Sequence, residues 1–141
     1  AFSYAATSSS VFLLDLGAGN GYILGLKVSS ASTSLAQLVG SYNFVGVVAD
    51  GSGLAGNTRI SSDGSATCAI ETNGVLSEDE SFTGIQQCPN LPNVLHATHL
   101  DPRIPTYRGK AYFVISGDIM MYFIFDTDGF FNAYGAGVRI M

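Results

Sequence analysis

Ile119-Met120-Met121-Tyr122-Phe123-Ile124-Phe125 runs into Asp126-Thr127-Asp128-Gly129 and out again through Phe130-Phe131-Asn132-Ala133-Tyr134. An apolar run rich in Ile, Tyr and Phe, a break ending in Asp-Gly, and a second aromatic run make the pattern of a β-hairpin. The same punctuation recurs at Asn20-Gly21, Asp50-Gly51, Asp63-Gly64 and Asn73-Gly74. Each pair reads as a tight type I′ turn, whose two central residues both take positive φ. Between the breaks lie strand-like segments at 2–6, 10–16, 21–29, 41–49, 57–61, 65–72, 80–87, 107–116, 119–126 and 129–140. So many short strands in one domain predict a barrel or a sandwich.

Two segments depart from the strand pattern. Ser32 to Val39 reads as a short helical turn with Ser32 or Ser34 as N-cap and Gly40 as its stop, placed to plug one end of a barrel. Pro89 to Pro105 holds all four prolines and reads as an irregular excursion over the surface.

A chain of 141 residues is of single-domain length. Only 12% of it is charged and 47% is apolar, with 17 Gly, which excludes a disordered chain. The net charge of -5 argues against a nucleic-acid partner, whose phosphates call for clustered Lys and Arg. No apolar run is long enough for a membrane-spanning helix. The segments 57–61 and 65–72 are too short and polar for an outer-membrane barrel. The chain opens at Ala1 without a charged leader and reads as a mature, processed protein.

Cys68 and Cys88 are the two thiols. The first expectation is a disulfide between them, which would contribute about 3 kcal/mol by closing the intervening loop and would place the protein outside the cytosol. Two separate buried thiols are the alternative.

The runs 119–125 and Val11-Phe12-Leu13-Leu14 are apolar on both faces, so something must cover the outer one: another strand layer, another subunit or lipid. The first 28 residues also resemble the last 30. Val11-Phe12-Leu13-Leu14-Asp15 aligns with Tyr122-Phe123-Ile124-Phe125-Asp126, and Asn20 to Val28 with Asn132 to Ile140. If residues 38–141 close a barrel of their own, the strands at 1–29 are a spare set, suited to pair with a neighbouring subunit by strand complementation. Their use in a larger barrel of the same chain is the other reading.

Few residues suggest chemistry. His96, His99 and Asp101 are too irregularly spaced for a metal site, because on an extended strand the two histidines face opposite ways. Asp126-Thr127-Asp128-Gly129 begins like a calcium loop without completing one. Glu78-Asp79-Glu80 reads as a solvated loop, with Arg103, Arg108 and Lys110 as its ion-pair partners. No nucleophile motif is present, so no catalytic residue, cofactor or metal site is assigned. The aromatic residues, among them Tyr22, Tyr42, Phe44, Tyr107, Phe113 and Tyr122, are candidates to line a cup for an apolar ligand.

Leu35-Ala36-Gln37-Leu38-Val39-Gly40-Ser41-Tyr42-Asn43-Phe44 resembles the opening of lipocalin-like (calycin) barrels, with Tyr42 where that family has the Trp of its Gly-x-Trp. The resemblance implies a barrel at 38–141 and a capacity for small apolar ligands; residues 1–37 fall outside it.

The fold expected is therefore all-β: an up-and-down antiparallel, lipocalin-like barrel at 38–141 with an extra three-strand unit and helical turn at 1–37. The function expected first is a structural subunit of a secreted or cell-surface filament, with itself as partner. Its subunit interface would comprise Val11, Phe12, Leu13, Leu14, Tyr22, Ile23, Leu24, Met120, Met121, Tyr122 and Phe123. The alternative is a lipocalin-like binder of small apolar ligands.

Overall fold

Residues 3–6, 11–15, 22–27 and 32–141 are described by a computed structural model. Strands β1 (Ser3–Ala6), β2 (Val11–Asp15) and β3 (Tyr22–Leu26) form a three-stranded antiparallel sheet. A single helical turn, α1 (Leu35–Leu38), leads into β4 (Gly40–Val48), β5 (Gly53–Ile60), β6 (Ala66–Thr72) and β7 (Val75–Cys88). The chain continues through β8 (Leu91–Leu100), β9 (Gly109–Ser116), β10 (Ile119–Phe125) and β11 (Phe131–Ile140). Strands β4 to β11 pair in chain order, and β11 returns to β4, with Ala136 opposite Val45, to close an eight-stranded barrel. This is the expected up-and-down barrel with its separate N-terminal three-strand unit.

Period-two alternation builds the core. Tyr42 and Phe44 of β4, Leu54 and Ile60 of β5, Leu95 of β8 and Phe113 of β9 all point inward and are buried. Burying each such aliphatic or aromatic side chain contributes about 1.5–3 kcal/mol. On β7 the inward set jumps from Phe82 to Ile85, an odd step. A register irregularity between Thr83 and Gln86 absorbs the extra residue, as a β-bulge does.

The expected plug is in place. The side-chain oxygen of Gln37 accepts the Ser34 backbone N–H at 2.7 Å, so Ser34 begins the turn, and Leu38 is fully buried under the barrel. The Tyr42 hydroxyl donates to the Leu38 carbonyl at 2.9 Å. Arg139, near the end of β11, lies 5.3 Å over the Tyr42 ring and donates to the carbonyls of Val39 and Gln37. One end of the barrel is thereby closed.

The turns follow the expectation in part. Only Asn73-Gly74 has both central residues at positive φ, at 52° and 77°. At Asp50-Gly51, Asp63-Gly64 and Asp128-Gly129 only the glycine does, so these are longer connections in which the carboxylate of Asp50, Asp63 or Asp126 accepts the backbone N–H two residues on. Asn20-Gly21 lies outside the described residues.

Two expectations are corrected. Most of the stretch from Pro89 to Pro105 is β8, whose inward face carries Leu95, Ala97 and His99. A histidine among the inward positions hid the alternation. Cys68 and Cys88 are both free and buried. Cys68 lies opposite Glu80, and Cys88 sits eight positions further along β7, about 25 Å at the rise of an extended strand. A disulfide requires Cα atoms within about 7 Å. The closed ring has both edges of every barrel strand paired, so the expected strand complementation gains no support from the barrel.

The doubly apolar strand β10 sends Met120, Tyr122 and Ile124 inward, while Met121 faces out yet is only 3% exposed. β3 approaches β9, the neighbour of β10. Both edges of β9 are occupied and the interior is filled, so β3 lies outside the wall.

Candidate functional site

The barrel is open at the end opposite α1, where the turns 49–52, 73–74, 101–108 and 126–130 gather. Asn73 Nδ2 donates to Ser52 Oγ at 2.9 Å and ties two of these turns together. Within the rim lies a cavity of about 380 Å³. Its wall is apolar on one side, with Leu54, Ile70 and Ile124, and polar on the other, with Glu80, His99, Asp101, Arg103, Tyr107 and Asn132. Leu54, Ile70 and Ile124 also belong to a narrower throat beneath it, which is completed by Phe44, Phe82, Phe113, Met120 and Tyr122. The throat retains about 30 Å³ of free space, room for about two waters. The mouth therefore lies within the size range of small-molecule sites, and the barrel centre is close-packed apart from that small void.

The polar side is a connected ion cluster. Inward alternation on β7 carries Glu80 into the wall with Phe82, and on β8 it carries His99 in with Ala97 and Leu95. His99 Nε2 lies 2.9 Å from Glu80 Oε2. The other Glu80 oxygen accepts from Arg103 Nη2 at 3.1 Å, so this buried carboxylate is paired at both atoms. Arg103 also grips Asp101 with a two-point fork, Nε to Oδ1 at 2.9 Å and Nη2 to Oδ2 at 2.7 Å. That hydrogen-bonded guanidinium holds the Asp101 carboxyl below the usual carboxylate range.

Rings fix the imidazole. Phe82 stacks on His99 at 4.9 Å between centroids, and Tyr107 meets its edge at 5.3 Å. The Tyr107 ring lies across Gly109, where a Cβ would overlap the tyrosine and the Phe125 carbonyl. Burial pushes the Tyr107 phenol up, and Asn132 Nδ2 donates to its oxygen at 3.3 Å. His99 is 5% exposed, and its Nδ1 has no hydrogen-bond partner among the described residues.

The residues singled out in the sequence scatter. Met120 and Tyr122, expected at a subunit interface, line the throat. Phe123 faces out and stacks on Tyr134 at 6.4 Å. Val11, Phe12, Leu13 and Leu14 belong to β2, and Tyr22, Ile23 and Leu24 to β3; their side chains lie outside the described residues. Cys68 faces the throat, while Cys88 sits at the closed end. His96 and His99 do point to opposite faces, with His99 alone inside. The Asp126 carboxylate accepts the N–H groups of Asp128 and Phe130, which makes 126–130 a turn.

Of the expected aromatic cup, Phe44, Phe113 and Tyr122 reach the throat and Tyr107 the mouth. Tyr112, Phe125, Phe131 and Tyr134 instead form an edge-to-face and tilted ladder among themselves. Glu80 is the residue that sequence reasoning missed. In sequence it reads as part of a solvated loop, and the expected pairing of that loop with Arg103 does form. The available signal was parity: Glu80 shares a face with Phe82, and His99 shares one with Leu95 and Ala97.

The sequence matches no protein-family model and no curated protein. Solved structures do resemble the fold. A redesigned β-barrel aligns over 80% of this chain and all of its own, at 14% identity and a TM-score of 0.58. A de novo fluorescence-activating β-barrel aligns over 75% of this chain and 96% of its own, at 14% identity and a TM-score of 0.56. Another redesigned barrel, solved bound to DFHBI, aligns over 77% of this chain and all of its own, at 15% identity and a TM-score of 0.52. The likeness is one of fold.

Proposed function

We propose that this chain is a small-molecule-binding barrel that admits a compact, largely apolar ligand through its open mouth. The observation that carries this reading is the cavity of about 380 Å³, closed below by a packed throat and α1 and walled by apolar side chains facing a polar cluster. Concave, mostly apolar pockets with a few placed polar groups are the usual form of such sites. The similar designed barrel solved with DFHBI bound lends support at the level of fold. Binding is favoured over catalysis because the Glu80 carboxylate is engaged at both oxygens by His99 and Arg103. The filament, self-assembly and secretion expected from the terminal strands and cysteines gain no support from the closed ring, the free thiols or the similar structures.

Titration with a neutral, environment-sensitive naphthalene dye tests the reading. A single saturable site with blue-shifted emission is expected. It should vanish in Ala133→Phe, which fills the mouth from β11. Absence of saturable binding to the unmodified chain would overturn it.

A further inference from the structure

Resting on that reading, we propose that the Tyr107 hydroxyl is the anchoring donor of the pocket, so that its ligands are neutral apolar molecules bearing a carbonyl acceptor. The segment 101–108 carries the phenol into the mouth. Two successive turns fold it back: the Ile104 N–H donates to the Asp101 carbonyl at 3.0 Å, and the Tyr107 N–H to the Ile104 carbonyl at 2.8 Å. Gly109 follows, directly opposite His99 in the β8–β9 ladder, and so shares its inward face. The Tyr107 oxygen lies only 2.5 Å from where a Gly109 Cβ would stand. The hydroxyl therefore sits inside the rim, on a half-buried residue of the cavity wall.

A phenol oxygen accepts hydrogen bonds and donates one. Asn132 Nδ2 donates to it at 3.3 Å, while its own proton has no acceptor among the described residues. Burial raises the phenol pKa and the charges of Asp126, Glu80 and Asp101 add to the rise, so the proton stays on at neutral pH. The edge contact with His99 holds the ring in place. A ligand carbonyl supplies the acceptor that is missing. Charge sets the second condition: Glu80 and Asp101 share one cation, Arg103, so a ligand carboxylate would enter a cluster already in negative excess.

The test uses β-acetylnaphthalene, the isosteric hydrocarbon β-isopropenylnaphthalene and β-naphthoate, measured by calorimetry on the full chain. Tyr107→Phe retains the ring against His99 and Gly109. It should weaken the ketone at least about fivefold and leave the hydrocarbon unchanged, which cancels the different solvation of the two probes. The naphthoate should bind the unmodified chain more weakly than the ketone. A second readout needs no Tyr107 variant: the isotope-labelled carbonyl carbon of the bound ketone should resonate downfield of its position in hexane, and should keep that shift in Arg103→Ala, which removes the neighbouring cationic donor.

Equal weakening of ketone and hydrocarbon in folded Tyr107→Phe, or no weakening of either, would overturn the inference and leave the pocket reading standing. So would a bound carbonyl resonating as in hexane, a shift lost in folded Arg103→Ala, or tighter binding of the naphthoate than of the ketone. Failure of all three probes to bind the unmodified chain would overturn the pocket reading and the inference together.

Discussion

Ionising Cys68 in the folded protein would place a thiolate inside the packed throat, and that cost should be measurable as a pH-dependent stability. The thiol is 3% exposed and donates to Thr58 Oγ1 at 3.1 Å. Burial pushes its pKa from 9.0 up to about 12. Because the folded value lies above the unfolded one, this contribution is fully present below pH 9, where the thiol is neutral in both states. Above pH 9 the unfolded chain ionises first, and stability falls by about 1.4 kcal/mol per pH unit until the folded thiol itself ionises near pH 12.

Between pH 8 and pH 10 the loss attributable to Cys68 is therefore about 1.4 kcal/mol. Urea unfolding under reducing conditions, for the unmodified chain and for Cys68→Ala, isolates it. Both proteins retain Cys88 and every tyrosine, so the other alkaline ionisations largely cancel in the difference. The unmodified chain should lose about 1.4 kcal/mol more than the variant over this interval. Parallel losses would refute the burial of the thiol, and the assignment of a reduced Cys68 in the throat would fail with it.

Three other outcomes follow from the same geometry. Gly135 faces Gly46 across the β11–β4 seam, and a Cβ on it would overlap the Val45 carbonyl and the Tyr122 hydroxyl. Gly135→Ala should cost about 1–3 kcal/mol in denaturant unfolding, whereas Gly53→Ala, which meets open space, should change stability little. Arg103→Ala should flatten the acid limb of the stability curve. The depressed Asp101 carboxyl stabilises the fold above its unfolded pKa of 3.8, and this is lost as pH falls through the lower folded value; an equally steep loss in the variant would show that Arg103 is not the cause. A chain lacking residues 1–31 should keep the cooperative unfolding and β-rich circular dichroism of the barrel, because β11 pairs with β4 without help from β1–β3; loss of cooperativity would mean that the N-terminal sheet is part of the core.

Much of the ring was legible locally. The segments 119–126 and 129–140 match β10 and β11 to within two residues, and the helical turn before Gly40 matches α1. These elements carry uninterrupted aromatic and aliphatic patterns bounded by Gly-containing breaks, or, for α1, a serine cap. The strand β8 and the early part of β7 escaped because inward positions there carry His99 and Glu80, and a bulge at 83–86 inverts the parity midway along β7. The candidate site was lost with them. A buried ion cluster looks in sequence like a scatter of surface charges, since its partners lie 19 and 23 positions apart.

By itself, the sequence determined what neighbouring residues decide among themselves: the all-β class, the positions of the turns and the plug. Turn conformation and side-chain alternation arise within a few positions of the chain, so they can be read there. The tertiary structure alone decided that β11 closes on β4, that Cys68 and Cys88 stand a strand apart, and that Glu80, His99 and Arg103 meet at an open mouth. Those outcomes depend on strand register, where a slip of one residue sends every side chain to the opposite face. Register is selected by packing the whole ring at once, and no local stretch of the chain contains it.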